Sequence, residues 1–445
     1  MASDLLSISK SGAQVARIAL DVTAQNISNA ASEGYVRRSV SLAEVASSGG
    51  GMRVGDVSLS GVRLDGIVRN ADVFRQAEVR RTGSDAARAD AEVAGLENIQ
   101  TAVEGANVFP AIVKFEGALQ QLAADPTNSS LRTAVVEEAR TMTRSFNIAS
   151  QGLDSAGDGL RFEATDGVKQ VNLLSQELAR VNLRLARAAD ASSDQSALLD
   201  QRDSLLQSLS GYTDITTTIA ADQTVEVRLG GATGPQLVTG GSASAFAMTT
   251  AADGTLSFSV NGTAVAPSAG SLAGKAQALV KLADVRSRID AVASSLIGAA
   301  NAAQATGVAL DGSPGQPMFS GTGAGDIALV LADGAGLATA PAGAGANSRN
   351  PANLDALRNG LDSADPSGAM DAAIFDISST VAGRTVSRDA LTAIADNSRI
   401  ALQTQAGVDL DQEAVNLMRY QQAFQASGRV MQVASDIFAS LLAIR

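Results

Sequence analysis

The chain has 445 residues, room for roughly two to four domains, and a 45% hydrophobic content that can fill real cores. Its net charge of −12 argues against nucleic acid, because phosphate binding is driven by Lys and Arg displacing counterions. With no Cys and no His there is no disulfide, thiolate nucleophile, imidazole base or zinc-type ligand set, and only carboxylate, Lys, Ser or Tyr chemistry would remain; no enzymatic activity, metal or cofactor is expected.

Aromatics make up only 3% and Trp is absent, so packing must rest on stripes of Leu, Val, Ile and Ala along helices. The first ten residues lack the basic start, apolar run and small-residue cleavage site of a secretory signal. No apolar stretch approaches the roughly 18 to 20 residues that span a membrane, so membrane insertion is not expected.

In chain order, Leu5, Ile8, Val15, Ala19 and Val22, with Gly12 in the same series, alternate at three and four spacing and predict an amphipathic helix over 4–31. Gly34 ends it as a left-handed residue, and Tyr35 reads as an amphipathic anchor. Asn26 and Asn29, three apart, share a face with Ile27 beside them; their amides either bond a neighbouring backbone or cap the helix end. Val36, Val40 and Leu42 shift to period two, a Gly49-Gly50-Gly51 break follows, and Val54 to Leu64 suggests one or two more strands.

Helical spacing returns over 71–105 and 109–123. Asp125-Pro126-Thr127-Asn128 is a turn and cap ahead of a helix over 130–151, and a further helical reading fits 165–210. Within it, Arg202 between Asp200 and Asp203 is either a solvated charge cluster or an ion pair between bundle helices. From Gly211 the chain turns rich in Thr, Ile and Val, and Thr255 to Val260 followed by Asn261-Gly262 is the strongest hairpin signal. Residues 211–270 read as an inserted β domain between two helices, the second over 274–304. Residues 307–350, with only short apolar pieces such as Ile327 to Leu331, read as loops with a hairpin among them, and helix returns near Asp371 with breaks near Gly383 and Gly407.

The last stretch carries a second stripe at four-three alternation: Leu410, Ala414, Leu417, Gln421, Phe424, Gly428, Met431, Ser435, Phe438 and Leu442. Taken alone it fits a core helix of an ordinary domain. With a matching stripe at the other end of the chain, the two seams can also close on each other and leave outer faces for identical or related neighbours.

The fold class that follows is mainly α with an inserted β domain. The expected division is a terminal coiled-coil domain from 1–65 and 400–445, a helical-bundle domain from 66–210 and 271–399, and a small β-rich outer domain from 211–270. Gly321, Gly323 and Gly325 alternate without the strand-to-helix context or Lys of a phosphate loop, and read as a flexible loop.

Two motifs carry a resemblance. Ala24 to Ala30 followed by Gly34-Tyr35-Val36-Arg37-Arg38 is similar to the N-terminal signature of the flagellar rod, hook and hook-associated family. Val408 to Glu413, Asn416-Leu417, Tyr420 to Ala426, Asp436 and Leu441-Leu442 resemble its C-terminal signature. Asp125 to Asn128 with Leu131-Arg132, Leu198 to Asp203 with Leu205, and Leu310 to Gly315 with Phe319 resemble the hook-associated protein 1 branch, which forms the hook–filament junction, rather than hook or rod subunits. The chain is shorter than many members, so an additional outer domain is expected to be absent.

The resemblance implies a secreted structural protein of the extracellular flagellum, exported unfolded through the type III export apparatus with its uncleaved N-terminus as part of the signal. It implies a ring of about eleven copies joined by heterologous contacts, with the hook protein and the second hook-associated junction protein as neighbours. Assembly would use Leu5, Ile8, Val15, Val22, Asn26, Ile27, Asn29, Gly34, Tyr35, Leu410, Leu417, Tyr420, Gln421, Phe424, Met431, Phe438 and Leu442. A flagellar export chaperone would cover Leu417, Phe424, Met431 and Phe438 before export. The alternatives are another axial subunit of hook, rod or filament type, and an exported adhesin or glycan-active protein using the β insertion.

Overall fold

The apolar spacing of the first residues is realised as α1, Ala2–Asn29, followed by a turn in which Gly34 adopts φ 77°. The structure, a computed structural model, describes residues 2–32, 34–47 and 58–443, with side chains over 5–32, 34–44 and 61–440. Leu442 lies in a described helix, but its side chain falls outside those described. Strands β1, Arg38–Ser47, and β2, Ser58–Arg69, pair antiparallel with irregularities at Ser41/Leu42 and Glu44/Ala46; the Gly49-Gly50-Gly51 break lies outside the described residues.

The fold is mainly helical. Helices α2, Val73–Gly105, α3, Val108–Ala124, α4, Ser129–Leu185, and α5, Ser193–Tyr212, follow in order. Asn128 caps α4 as expected, its Oδ1 accepting the N–H groups of Ser130 and Leu131. The break expected between 151 and 165 does not occur. Leu153, Leu160, Ala164 and Val171 continue one buried stripe, and that burial outweighs the roughly 1 kcal/mol that each helical glycine costs. The chain breaks instead inside the second expected helix, at 186–192, where Ala191 takes φ 54° and the Ser192 hydroxyl caps α5 by accepting Gln195 N–H.

Between α5 and α6, Ser271–Ala305, seven strands form two sheets. The first is four-stranded: β3, Ile215–Ile219; β4, Val225–Leu229; β5, Gln236–Thr239; β6, Ser242–Ala243. The second is three-stranded: β7, Phe246–Thr250; β8, Leu256–Val260; β9, Thr263–Val265. Asn261 at φ 49° and Gly262 at φ 80° make the two-residue turn of the β8–β9 hairpin, since both central positions need positive φ.

Past α6, β10, Gly307–Val308, β11, Phe319–Ser320, β12, Ala328–Leu329, and β13, Ala340–Pro341, form two short pairs, β10 with β13 and β11 with β12. Helix resumes earlier than expected, as α7, Ala352–Ala364, and α8, Pro366–Ala406. The latter passes through Gly383 unbroken, and the expected break at Gly407 precedes α9, Leu410–Ala443. No helix of the described residues is long and apolar enough to cross a membrane.

The chain divides into two compact units, one of 1–84, 171–246 and 392–445, the other of 85–170 and 247–391. The second holds the large core, where Phe115, Phe146 and Phe319 are buried with Leu282, Ile289 and Leu296. Phe115 and Phe319 meet edge to face at 6.0 Å. Helix α6 crosses α2 closely at Gly274, where a Cβ would stand 2.1 Å from Arg88 O. Buried Arg132 holds the 334–339 segment: its guanidinium donates to Pro126 O, Gly334 O, Leu337 O and Thr339 Oγ1. The first unit contains both ends of the chain, with α9 lying against α1 and the β1–β2 hairpin beside them.

Candidate assembly site at the paired chain ends

Helix α1 meets α9 through a row of small side chains. Ser9, Ala16, Ala19, Thr23 and Asn26 are buried along one face of α1, with Gly12 in the same row. A Cβ on Gly12 would come within 3.0 Å of Ser427 Oγ on α9. Side chains of this size let two helix axes approach closely. On α9 the buried positions are Glu413, Asn416 and Ala434, flanked by half-buried Leu417, Tyr420, Ser427 and Met431.

The largest apolar side chains of α9 therefore do not fill the contact. Leu410, Val415, Met418, Phe424, Val430, Val433, Ile437 and Phe438 are all exposed in the single chain. Of the other positions selected from sequence, Val15, Val22 and Asn26 are buried and Asn29 and Tyr35 half-buried, while Leu5, Ile8, Ile27, Gly34 and Gln421 are exposed. The hydrophobic stripe read from sequence thus only partly overlaps the face that α9 turns to α1. Close approach of the two backbones favours small residues between them, which a search for large apolar residues passes over.

Asn26 is the centre of a polar knot. Its Nδ2 donates to Arg38 O at 2.8 Å and to Glu413 Oε2 at 3.2 Å, and its Oδ1 accepts from Arg38 N at 3.0 Å and Tyr35 Oη at 2.9 Å. Every hydrogen-bonding capacity of the amide is used. Glu413, 1% exposed, also accepts from Arg37 Nε at 2.7 Å, which compensates a buried carboxylate. Asn29 takes no part, donating to Gln25 O in its own helix. Burial pushes the Tyr35 hydroxyl above its ordinary value; Arg38, over the ring at 5.3 Å, opposes the rise, while Asp200 and Glu413 add to it.

The knot continues into α5. Arg38 Nη2 meets Asp200 Oδ2 at 2.5 Å, and Arg69 donates from Nε to Asp200 Oδ1 and from Nη2 to Asp203 Oδ2, both at 2.9 Å. Arg202 grips Asp203 Oδ1 at 2.8 Å and donates to Gln223 O, while Gln76 Nε2 donates to Asp203 Oδ2. Arg202 is only 3% exposed, so the cluster is not a solvated one; its ion pair is with Asp203 in the same helix, and Asp200 and Asp203 tie α5 to the strands β1 and β2 through Arg38 and Arg69 rather than to a second helix. Sequence reasoning gave Asp200 and Asp203 only a place beside Arg202, and assigned no pairing role to Glu413 or Arg69. The Arg37-Arg38 pair and the charges of α5 were visible in the sequence, but nothing in it said that they meet.

Burial alone would raise the Asp203 carboxyl, but Arg202 and Arg69 outweigh it and hold the group below its ordinary value of 3.8. A carboxyl depressed by folding contributes stability above the unfolded value and loses it as pH falls through the folded one. Asp203→Asn is expected to cost about 3 kcal/mol near neutral pH. The gap between wild-type and variant urea midpoints should narrow as pH drops below 3.8; a pH-independent gap would contradict the assignment.

Among the described residues no group of three or more Asp and Glu could hold a metal ion. The arrangement clamps two helices and leaves apolar surface on α9 exposed.

Comparison with known proteins bears on the same segments. Residues 93–319, half of the chain, match the family model described as the flagellar hook-associated protein FlgK helical domain. Residues 403–444, which take in α9, match the model of the flagellar basal body rod FlgEFG protein C-terminal region. Flagellar hook-associated protein 1 of Bacillus subtilis is 27% identical over 44% of this chain and 40% of its own length. Its namesake in Salmonella typhimurium is 24% identical over 54% of this chain and 43% of its own. A solved structure of the flagellar hook junction protein FlgK from Burkholderia pseudomallei has 22% identity and a TM-score of 0.49, covering 54% of this chain and 46% of that one. The chain spans less than half the length of the curated relatives it matches. From the match over its middle half, the chain belongs to the family of the flagellar hook-associated protein FlgK.

Proposed function

We propose that this chain is a structural subunit of the bacterial flagellum, placed outside the cell at the junction between hook and filament and assembled by head-to-tail packing of its paired terminal helices. The observation that carries this reading is the α1–α9 pair itself. It closes on small residues and leaves eight large apolar side chains of α9 exposed, a surface that a single copy has no means of burying. The match of the middle of the chain to the FlgK helical domain supports the junction position.

The division into a terminal polymerisation domain, a helical-bundle domain and a β-rich outer domain belongs to the same proposal, as do the ring of about eleven copies, contact with the hook protein and the second junction protein, and type III export. Before export, a chaperone would cover Leu417, Phe424, Met431 and Phe438, all half-buried or exposed once α9 is paired. A second reading, another axial subunit, draws on the match of 403–444 to rod proteins. One experiment separates them. A strain lacking the gene, viewed by electron microscopy, is expected to carry hooks without filaments and to shed flagellin into the medium. Loss of the hook would favour the second reading, and intact filaments would refute both.

A further inference from the structure

The first unit carries a groove and a stripe that fit each other and face away from one another. The groove lies between α1 and β2, holds about 640 Å³, and is lined by Ile18, Val62 and Leu64 with Arg17, Asp21 and Arg63 among them. The stripe is on α9, where Val430, Val433 and Ile437 are 43%, 58% and 41% exposed, with Arg429 and Asp436 beside them. Arg17, Asp21, Arg429 and Asp436 make no ion pair among the described residues.

Helical geometry fixes their directions. At 3.6 residues per turn, the α1 side chains lining the groove stand roughly 150° round the helix from those that face α9. On α9, the stripe lies roughly 120° from the face turned to α1. Within one copy α1 therefore stands between groove and stripe, and the two meet only between copies.

Resting on the reading that the chain polymerises through its ends, we propose that the α1–β2 groove of one copy receives the outer stripe of α9 from the next. Val433 and Ile437 enter against Ile18, Val62 and Leu64, Asp436 faces Arg17 and Arg63, and Arg429 faces Asp21. The charges favour this occupant: the groove offers two cations and one anion, and the stripe offers an anion and a cation in complementary order when the helices run antiparallel. Arg17 and Asp21 are one turn apart and Arg429 and Asp436 two, a difference of roughly 5 Å along the axis that flexible Arg side chains span. A socket on one side and a plug on the other make a heterologous contact, which propagates into a ring or a helix rather than stopping at a dimer.

The chain has no cysteine, so engineered thiols report the contact directly. Full-length Leu64→Cys and Val433→Cys chains are co-expressed in the strain lacking the gene, flagella are isolated and oxidised, and disulfide-linked dimers are read on a non-reducing gel. The expected result is a dimer at least about tenfold more abundant than from Leu64→Cys paired with Gln421→Cys, which sits elsewhere on α9. Filamented cells with no excess over that control would overturn the contact and leave the junction reading standing. Normal filaments in the strain lacking the gene would overturn the junction reading, while the gel still reads the contact wherever the chains assemble. If a cysteine variant prevents assembly, charge reversal decides: Arg17→Asp and Asp436→Arg should each cut filament number about tenfold, and the double variant should restore it. Failure of the double variant to restore filaments would also overturn the contact.

Discussion

Deleting residues 410–445 is expected to leave a soluble, folded chain and cells that bear hooks but no filaments. The deletion removes α9 whole, and with it the exposed apolar side chains through which copies would meet. It also strips Asn26 and Arg37 of Glu413 and uncovers the α1 row from Ser9 to Thr23. The large core of the second unit draws on no residue beyond Val381. Its calorimetric transition should therefore move by less than about 2 °C, below the shift that 1 kcal/mol produces. Normal filaments on cells carrying only the truncated chain would sink the assembly role of the ends.

The second large effect is expected at Arg132. Its side chain is 1% exposed and is held by three backbone carbonyls and a threonine hydroxyl, with no carboxylate among its hydrogen-bond partners in the described residues. Burial accordingly pulls its pKa below the ordinary value. Arg132→Ala leaves carbonyls at Pro126, Gly334 and Leu337 without their donor and opens a cavity. It should cost about 3–5 kcal/mol, read as a lower urea midpoint for the second unit. Arg132→Lys keeps the charge but cannot reproduce the fork, and should recover no more than about half of the loss. A midpoint unchanged in the Ala variant would mean that the 334–339 segment is held by its own turns and by Asn353 and Gln304 instead.

What was legible in the sequence was local. The α1 stripe, the cap at Asn128 and the Asn261-Gly262 turn each depend on a few adjacent residues whose conformational preferences are strong. What was not legible was decided by partners distant in the chain. The expected helices stopped at 151 and resumed at 165, yet α4 runs on between them because Leu153 and Leu160 are buried by other elements. The start of α5 follows a left-handed Ala191, a residue type that gives no warning. At the candidate site, large apolar residues marked the face that the helices share only in part, and Asn26 was singled out where Glu413 was not. A lone carboxylate in an amphipathic helix reads as solvated until Arg37 and Asn26 are seen converging on it.

Those small residues between α1 and α9 leave a question of alignment that Glu413 answers. Gly12, Ala16 and Ala19 form a nearly featureless track, along which an opposing helix could slip by a turn or two with little change in packing. The carboxylate forbids it. Displaced by two turns it would face Ala19 rather than Asn26, an uncompensated charge in an apolar gap costing several kcal/mol. One buried charge thus works as an indexing pin, so that every copy presents its outer surface at the same height along the pair.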